Sequence, residues 1–362
     1  MTNYVLYDSL RVAGGAERVA IDLATGLPNA SLVVSRVYKE SSALSPLSRL
    51  NEGQLRCIGN VSSLSILRLL DAISGFMWGT RFLEDAQAVV YSGAYAPYAV
   101  VNQKRGKRSY YCHTPPRYMY DWRDRYLERA PLVLRPILFG VIEQLRMKYE
   151  ASIMEMDMVI SNSENIRNRL KKYLGIDSEV IYPPVDIDRF RWVEHGNYFI
   201  SLARLEPHKG VDKIIEAFLK TPNQNLVITS GGSDKDRLKM LAGNSLNIKF
   251  VGWQTDEQLS QLIGGARAAI YLSNDEDFGM SPVEAMSAGK PVIGYRNGGL
   301  IETVIEGETG LLLSPNSVPD ALIDALHTMS SKFSLDMRHS CELRAKEFSK
   351  AIFLQKMKER VL

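Results

Sequence analysis

The sequence predicts two α/β domains in tandem, each a doubly wound parallel β-sheet with helices on both faces. Twelve short runs rich in β-branched and aromatic residues recur along the 362 residues, and turn residues and a helical pattern follow each run. Strands that alternate with helices are typical of βαβ units and of parallel sheets. The length also exceeds one ordinary core and fits two domains of about 150–200 residues each.

The twelve runs divide evenly around the segment YPPVDIDRF, in which Pro183 and Pro184 stiffen the chain. The runs before it are YVLY, SLVVSRV, AVVYSG, RSYYCH, MVISNS and EVIYPP, and those after it are YFISLA, NLVITSG, NIKFVG, AAIYLS, PVIGYR and GLLL. We therefore predict one domain over residues 1–182 and a second over 183–340. Residues 341–362 follow as a C-terminal helix with a basic end.

The composition is that of a soluble globular protein, with 45% apolar and 23% charged residues. A net charge of +3 gives no indication of a nucleic-acid binder. The start MTNYVLYDSL lacks the features of a signal peptide, and no run of 18 apolar residues is present. Three scattered cysteines fit a reducing compartment better than a disulfide framework or a zinc site. These features predict a cytoplasmic location.

Positive charge is concentrated in residues 101–149, which contain eleven Lys and Arg residues and only four acidic residues. Tyr, Trp and an apolar stretch are interleaved with these charges, which suits an anionic membrane surface. A solvated basic face is the alternative. A second apolar stretch, LSILRLLDAISGFMWGTRFL, is a further candidate for membrane contact.

Ligands of open parallel sheets bind beyond the carboxyl ends of the strands. If the two sheets face each other, their strand-end loops enter one interdomain cleft. Gly14 and Gly15 lead from the first strand into a helix, a place where backbone amides approach a phosphate. Arg204 and Lys209 precede another helix and form a positive site suited to a diphosphate. Gly231 and Gly232 follow the next strand, and His113 ends the strand RSYYCH.

The stretch EDFGMSPVEAMSAGKP places Glu276 and Glu284 eight positions apart around a Gly-Ser-Pro turn. Ser281 is the expected N-cap of a helix, Pro282 its first residue, and Glu284 follows three residues after the cap. One interpretation is a capping box, in which Glu284 serves only the helix start. The other is that both carboxylates bind one polyhydroxylated ligand. Three Asp-x-Asp triplets do not define a metal site.

With Arg204, Lys209, Glu276 and Glu284 in this order, the chain resembles the retaining glycosyltransferases of family 4, which have the two-domain GT-B architecture. Residues 198–313 carry the resemblance through ARLEPHKG, VGWQTDEQL, EDFGMSPVEAMSAGKPVI and GGLIETVIEGETGLLL, and GGAERV, CHTPPRY and SNS extend it more loosely to the first half. CHTP followed by Arg117, Tyr118 and Asp121 resembles the mannosyltransferase branch that builds lipopolysaccharide O-chains and exopolysaccharides, so these three are candidate acceptor contacts.

The resemblance implies a role for each matching residue. Arg204 and Lys209 would hold the donor diphosphate, Glu276 the sugar hydroxyls and Glu284 the ribose. Backbone amides of Phe278, Gly279 and Met280 would assist Glu276. Gly15 would lie beneath the phosphates, and His113 would contact the transferred sugar. The remaining candidate donor contacts are Gly14, Gly231, Gly232 and Ser281. In such enzymes the leaving diphosphate accepts the proton of the acceptor, metal is dispensable, and the C-terminal helix often returns to the first domain.

The resemblance therefore predicts an enzyme that transfers a sugar from a nucleotide sugar, with GDP-mannose the expected donor, and retains the α-configuration. The expected acceptor is a glycan on an undecaprenyl-type lipid, reached from the cytoplasmic face of the inner membrane. A UDP-sugar donor, a two-lobed binding protein without chemistry, a retaining glycosidase, and an epimerase or phosphorylase are the alternatives. Asp275 and Asp277 flank Glu276 and are expected either to raise its pKa or to replace it.

Overall fold

The computed structural model describes residues 2–11, 14–38, 47–59, 65–329 and 331–362, without the side chains of 65–70 and 331. The chain forms two compact units, one of Met1–Pro184 with Phe353–Leu362 and the other of Val185–Ile352. The boundary expected from the sequence, between residues 182 and 183, lies two residues before this division.

The first unit is built on a parallel sheet with the strand order β3-β2-β1-β4-β5-β6-β7. Its strands are β1 Asn3–Tyr7, β2 Ala30–Val34, β3 Leu55–Cys57, β4 Ala88–Ser92, β5 Lys107–Cys112, β6 Met158–Ser161 and β7 Glu179–Val180. Its helices are α1 Gly15–Gly26, α2 Ser65–Trp78, α3 Arg123–Glu128, α4 Arg135–Met154 and α5 Glu164–Leu174. The order reverses beside β1, which is the arrangement of a doubly wound sheet.

Alternating side chains of the central strands supply two cores, one on each face of this sheet. Val5 packs in one core with α1, whereas Leu6 packs in the other with α2, α4 and α5. This alternation follows from the two-residue period of a strand. It requires apolar residues at every strand position, which is why these runs are continuously apolar.

The second unit is built on a parallel sheet with the order β10-β9-β8-β11-β12-β13. Its strands are β8 Tyr198–Ser201, β9 Asn225–Thr229, β10 Ile248–Gly252, β11 Ala268–Tyr271, β12 Val292–Tyr295 and β13 Gly310–Leu313. Its helices are α6 Val211–Lys220, α7 Lys235–Ala242, α8 Asp256–Gly264, α9 Met280–Ser287, α10 Leu300–Thr303, α11 Asp320–Thr328, α12 Ser331–Asp336 and α13 Arg338–Lys346. The last helix, α14 Lys350–Val361, belongs to the first unit from Phe353 onward.

The prediction of two parallel α/β sheets is confirmed, and all twelve predicted runs contain strands. The prediction of six strands in the first half is wrong, because β3 adds a seventh. This strand has only three residues, lies at the sheet edge and exposes Arg56 and Cys57. Short, exposed edge strands carry no periodic apolar signal, so the sequence does not reveal them.

Of the apolar stretch 64–83, the structure describes the side chains of residues 71–83. In this part, the expectation of membrane contact is wrong for most apolar side chains. Ile73, Phe76 and Leu83 are buried in the core of the first unit. Trp78 is the large apolar residue that stays exposed between residues 71 and 83. The stretch is apolar because its helix covers the sheet.

We predict that the last helix contributes strongly to the stability of the first unit. Phe353 is 2% exposed and makes an edge-to-face contact with Tyr111 on β5. Phe353→Ala leaves a cavity and should lower the free energy of unfolding by about 3–5 kcal/mol. Urea denaturation of the two proteins measures this difference.

The neighbouring Ile352 provides the control, because its side chain is 38% exposed. Ile352→Ala should change the free energy of unfolding by less than about 1 kcal/mol. Equal effects of the two substitutions would contradict the assignment of Phe353 to the core.

Candidate functional site

Two loops of the second unit bring a lysine and a glutamate together at the carboxyl edge of its sheet. Lys209 follows β8 in a 3₁₀ turn over Pro207–Lys209, and Glu276 follows β11. The Lys209 Nζ lies 2.7 Å from Glu276 Oε2, and the side chains are 11% and 16% exposed. Such a charge-assisted hydrogen bond, largely shielded from water, is strong and fixes both side chains. The structure therefore joins two of the four predicted catalytic residues.

The surroundings of Glu276 keep it ionised. Burial alone would raise the pKa of Glu276, but the Lys209 ammonium, with hydrogen bonds from Ser273 and Tyr271, holds it below its usual value. Burial also raises the pKa of Tyr271 well above its usual value, so its hydroxyl stays a donor. The expectation that neighbouring aspartates raise the pKa of Glu276 is wrong. Asp275 adopts a left-handed backbone conformation with φ of 53°, and its side chain is exposed.

Helix α9 begins beside Glu276, but not with the predicted cap. Gly279 is the N-cap, with φ of +94°, and Ser281 and Pro282 are the second and third helical residues. Ser281 lies inside the helix, so it is not the cap residue that the predicted capping box requires. A left-handed N-cap favours glycine, and proline is tolerated in the first turn because its missing amide has no partner there.

The segment that carries Glu276 rests directly on a pair of glycines that the sequence analysis left without a role. Gly299 N donates to Glu276 O at 2.8 Å. A Cβ at Gly298 would lie 2.5 Å from Glu276 O, and one at Gly299 would lie 2.4 Å from the Phe278 Cα. The two glycines, quoted above only within GGLIETVIEGETGLLL, thus permit the close backbone approach that fixes Glu276. A Gly-Gly pair after an apolar strand is the signal that could have indicated this.

The loops after β8 and β9 are joined by hydrogen bonds. Leu205 N donates to Gly231 O at 3.0 Å, and Asp234 N donates to Leu205 O at 2.9 Å. Glu206 accepts from the Ser233 hydroxyl at 2.6 Å. Arg204, next to Leu205, is exposed. The structure therefore places Gly231 and Gly232 against the loop of Arg204, as contacts between backbone segments.

In the first unit, His113 follows β5 and lies against β4. Its Nε2 is 2.8 Å from the Ser92 hydroxyl, and its ring makes edge contacts with Tyr7 and Tyr111. Burial lowers the pKa of His113 to about 4, so the imidazole is neutral near pH 7.

Asp8, which follows β1, is a residue that the sequence analysis missed at the same sheet edge. Its carboxylate accepts hydrogen bonds from the backbone amides of Ala94, Tyr95 and Ala96, at 2.7, 2.7 and 3.0 Å. Burial raises its pKa to about 6, against these three hydrogen bonds. Asp8 thereby fixes the loop that follows β4. An acidic residue directly after an apolar strand, in YVLYD, is the signal that could have found it.

The three candidate acceptor residues lie together, but two of them are engaged in one network. Asp121 accepts from Arg169 Nη2 at 2.9 Å and lies 3.8 Å from Arg117. Arg169 also donates to the Thr114 hydroxyl at 3.0 Å. This residue of α5 therefore binds both ends of the segment from Thr114 to Asp121. Tyr118 packs against Tyr126. The contact of this segment with an acceptor stays a prediction.

The glycine turn after β1 is described only in part, because residues 12 and 13 lie outside the described ranges. Gly14 is the N-cap of α1, with φ of −77°, and Gly15 is its first residue. Their predicted contact with phosphates stays a prediction, as does metal independence. Across the described residues, no group of three or more His, Cys, Asp or Glu side chains could hold a metal ion. Within the same ranges, no helix is long and apolar enough to cross a bilayer.

Comparison with known proteins relates both units to glycosyltransferases of the GT-B type. The family model described as Glycosyl transferases group 1 matches residues 185–348, and the model described as Glycosyltransferase Family 4 matches residues 13–189. The second unit thus carries a group 1 domain and the first a family 4-like domain. The resemblance deduced from the motifs is confirmed at this level.

Curated relatives match at low identity. An uncharacterized glycosyltransferase of Methanocaldococcus jannaschii is 29% identical over 196 residues, which is 53% of this chain and 52% of the relative. The chain therefore spans about half the length of that protein in the match. An alpha-1,3/1,6-mannosyltransferase of Dictyostelium discoideum is 24% identical over an alignment of 374 positions, which covers 86% of this chain and 86% of the relative.

Solved structures share the fold over the whole chain. Anabaena HepE, crystallised with UDP and glucose, superposes with a TM-score of 0.74 at 18% identity and covers 99% of this chain and 98% of its own. The lipopolysaccharide outer core galactosyltransferase WaaB has a TM-score of 0.71 at 18% identity, with the same coverage. The GT-B fold class is therefore confirmed.

We predict that His113 and Asp8 make opposite contributions to the pH dependence of stability. His113 takes up a proton near pH 6.5 in the unfolded chain, but only near pH 4 in the folded chain. The free energy of unfolding therefore falls as the pH is lowered from 6.5 to about 4. Asp8 is protonated more readily when folded, so it adds stability as pH falls through about 6. Asp8→Asn should therefore steepen the loss of stability below pH 6.5, and His113→Asn should reduce it.

Urea denaturation at pH 4.5, 5.5 and 6.5 measures these slopes, and one proton corresponds to about 1.4 kcal/mol per pH unit. His113→Asn combined with Asp8→Asn is the control and should be less pH-dependent than Asp8→Asn alone. Slopes that are unchanged in either single variant would contradict the corresponding pKa shift.

Proposed function

We propose that this protein is a retaining hexosyltransferase that transfers mannose from GDP-mannose to a lipid-linked glycan in the synthesis of a bacterial surface polysaccharide. The observation that carries the proposal is the shielded Lys209–Glu276 pair next to the start of α9. A cation for a diphosphate, an ionised carboxylate for sugar hydroxyls and the amino end of a helix are the groups that a nucleotide sugar needs. The likeness to alpha-1,3/1,6-mannosyltransferases supports mannose as the sugar.

In the proposed reaction, the bond between the anomeric carbon and the diphosphate oxygen breaks, and a bond to the acceptor hydroxyl oxygen forms on the same face. Arg204 and Lys209 stabilise the negative charge that develops on the leaving diphosphate. The diphosphate oxygen takes the proton of the acceptor hydroxyl, so the atoms balance without a protein base. Glu276 accepts hydrogen bonds from the sugar hydroxyls, and Glu284 accepts hydrogen bonds from the ribose.

A UDP-sugar donor is the second candidate. It is favoured by the structural likeness to Anabaena HepE, which was crystallised with UDP and glucose. Thermal shifts with GDP-, UDP- and ADP-sugars distinguish the candidates, because a ligand at about 100 times its dissociation constant adds about 2.7 kcal/mol of stability.

The pair predicts different effects for its two members on donor binding. Lys209→Ala removes a charged hydrogen bond to the diphosphate and should weaken GDP binding about 10- to 150-fold. Glu276→Gln should leave GDP binding largely intact, because the sugar is the only part of the donor that Glu276 contacts and the glutamine amide oxygen can still accept a hydrogen bond from Lys209. It should nevertheless abolish the gain in affinity of GDP-mannose over GDP. Isothermal titration calorimetry with both ligands measures the two quantities.

Lys220 is the matched control, since it lies at the far end of α6 and is 56% exposed. Lys220→Ala should leave both affinities unchanged. Wild-type affinity of Lys209→Ala for GDP would reject the proposed donor site. Loss of GDP binding in Glu276→Gln would instead reject the division of roles between the two residues.

We further propose that the protein docks on anionic membranes through an exposed apolar segment at the start of α4. This 132–141 segment contains Leu132, Val133, Leu134, Ile137, Phe139 and Val141, which are 43–80% exposed. Exposed Arg125 and Arg129 lie just before it in the chain. Apolar side chains flanked by basic ones match the boundary between headgroups and acyl chains of an anionic bilayer. The proposal narrows the region of membrane contact from the 49 residues 101–149 to the ten residues 132–141.

Leu132→Glu combined with Val133→Glu should reduce binding to vesicles that contain phosphatidylglycerol at least tenfold. Burial of each large apolar side chain contributes about 1.5–3 kcal/mol, and the new charges are repelled by the lipid. Co-sedimentation measures the bound fraction. The control is the double variant Met240→Glu with Leu246→Glu in the second unit. These two residues are 83% and 103% exposed. Equal binding of the wild type to neutral vesicles would contradict the proposal.

A further inference from the structure

Asp8, directly after β1, joins the loops that follow three other strands of the first sheet. Its carboxylate accepts hydrogen bonds from the amides of residues 94–96, after β4, at 2.7–3.0 Å. Its backbone oxygen accepts from Ser35 N, after β2, at 3.0 Å, and from the Ser35 hydroxyl. Ser35 O accepts in turn from Gly59 N, after β3, at 2.9 Å. The side chain and the backbone of one residue thus hold these loops in a fixed relation.

The turn after β4 is shaped to receive this carboxylate. Gly93 has φ of +107°, and a Cβ there would lie 2.6 Å from the Asp8 Cγ. The Tyr110 hydroxyl, on β5, donates to Gly93 O at 3.2 Å and supports the turn from the other side. Both oxygens of the Asp8 carboxylate accept from loop amides. Asp8 is therefore placed to act on a substrate through the loops that it holds and not by direct contact.

Tyr95 connects this loop with the segment of the candidate acceptor residues. Burial, with the nearby Tyr95 and Tyr98 and the charge of Asp8, raises the pKa of Tyr118. Burial and the charge of Asp8 also raise the pKa of Tyr95 to about 12. Interactions between such groups fall off with distance, so Tyr118 lies close to the loop that Asp8 holds. A displacement of this loop would therefore change the surroundings of Tyr118.

We propose that Asp8 is a positioning residue for the acceptor of the transferred sugar. The inference rests on the proposed function and deepens it, because it identifies what fixes the acceptor side of the first unit. An ionised carboxylate holds the amides of residues 94–96 through charge-assisted hydrogen bonds. A neutral side chain holds them less strongly, so the loop opens more often and Tyr118 loses its fixed neighbour. The expected result is weaker binding of the acceptor with unchanged binding of the donor nucleotide.

Protonation of Asp8 produces the same neutral state in the wild type. Burial raises its pKa to about 6, so the acid form is populated below that pH. The charge of the carboxylate Glu17, on α1, acts on the adjacent Tyr7. The pKa of His113, about 4, lies below this window. The surrounding tyrosines stay protonated, because burial raises the pKa values of Tyr7, Tyr95, Tyr98 and Tyr118. Acceptor binding should therefore weaken as the pH falls through about 6.

Hydrogen–deuterium exchange of Asp8→Asn tests whether the carboxylate holds the loop. Residues 94–96 should exchange about 10- to 150-fold faster than in the wild type, which corresponds to the loss of a hydrogen bond to a charged group. Exchange in the rest of the first unit shows whether the variant is folded. Asp22→Asn is the control, because Asp22 is a buried acid of the helix α1 that pairs with Arg49 at 3.4 Å. It should leave the exchange of residues 94–96 unchanged.

Sugar transfer to synthetic undecaprenyl-diphosphate mannose tests the effect on the acceptor. The donor is GDP-mannose, or UDP-glucose if the wild type uses that sugar nucleotide instead. At pH 7.5, Asp8→Asn should raise the KM for this lipid at least tenfold and leave kcat and the Kd for the donor nucleotide nearly unchanged. The KM of the wild type should rise between pH 7.5 and 5.5, whereas that of Asp8→Asn should not. Asp22→Asn should match the wild type in each measurement.

The possible failures are distinguishable. Wild-type exchange of residues 94–96 in Asp8→Asn would show that the carboxylate does not hold the loop. Faster exchange with an unchanged KM would limit Asp8 to a structural role, and the positioning role would be wrong. A rise in KM at low pH that persists in Asp8→Asn would belong to another group, such as Glu17. If the wild type binds neither GDP nor UDP, the proposed function fails and the role of Asp8 in it fails as well. If it binds a nucleotide but transfers no sugar to this lipid, the proposed acceptor and the positioning role for it are wrong, whereas the donor site stands.

Discussion

Parallel strands place all their carboxyl ends at one edge of a sheet, and the functional groups of the second unit depend on that constraint. It brings Lys209 and Glu276, which are 67 residues apart in the chain, to a separation of 2.7 Å. Neither side chain would be stable alone where it lies, because an unpaired buried charge is costly. Once paired, each holds the other in place and Glu276 remains ionised.

The support for this pair comes from backbone packing more than from side chains. Gly298 and Gly299 lie directly against the segment of Glu276 and Phe278, where any side chain would clash. Asp275 and Gly279, on either side of this segment, both have positive φ angles. Strained backbone of this kind persists when its surroundings fix it, and it is frequent at functional sites. The geometry of Glu276 is therefore determined by a loop that is rigid because it is tightly packed.

The first unit uses a different device at its own sheet edge. Asp8 and His113 are both shielded from water, and their pKa values move in opposite senses from their usual values. Asp8 fixes the loop after β4 through three backbone amides, whereas His113 contacts Ser92 at the end of β4. Arg169 holds the segment that follows His113 through Thr114 and Asp121. Loops of this edge are thus held by polar contacts.

Local sequence patterns are enough to predict the two parallel sheets, because a strand buried on both faces must be apolar throughout and its helix must follow it. They also place Arg204, Lys209 and Glu276 after strand ends, with Glu284 in the helix that follows Glu276. The folded structure shows which of them are in contact, that Gly279 and not Ser281 is the N-cap of α9, and that Gly298 and Gly299 support Glu276. It also decided which apolar stretch is buried and which is exposed. These features depend on contacts between residues far apart in the chain, and local patterns carry no information about such contacts.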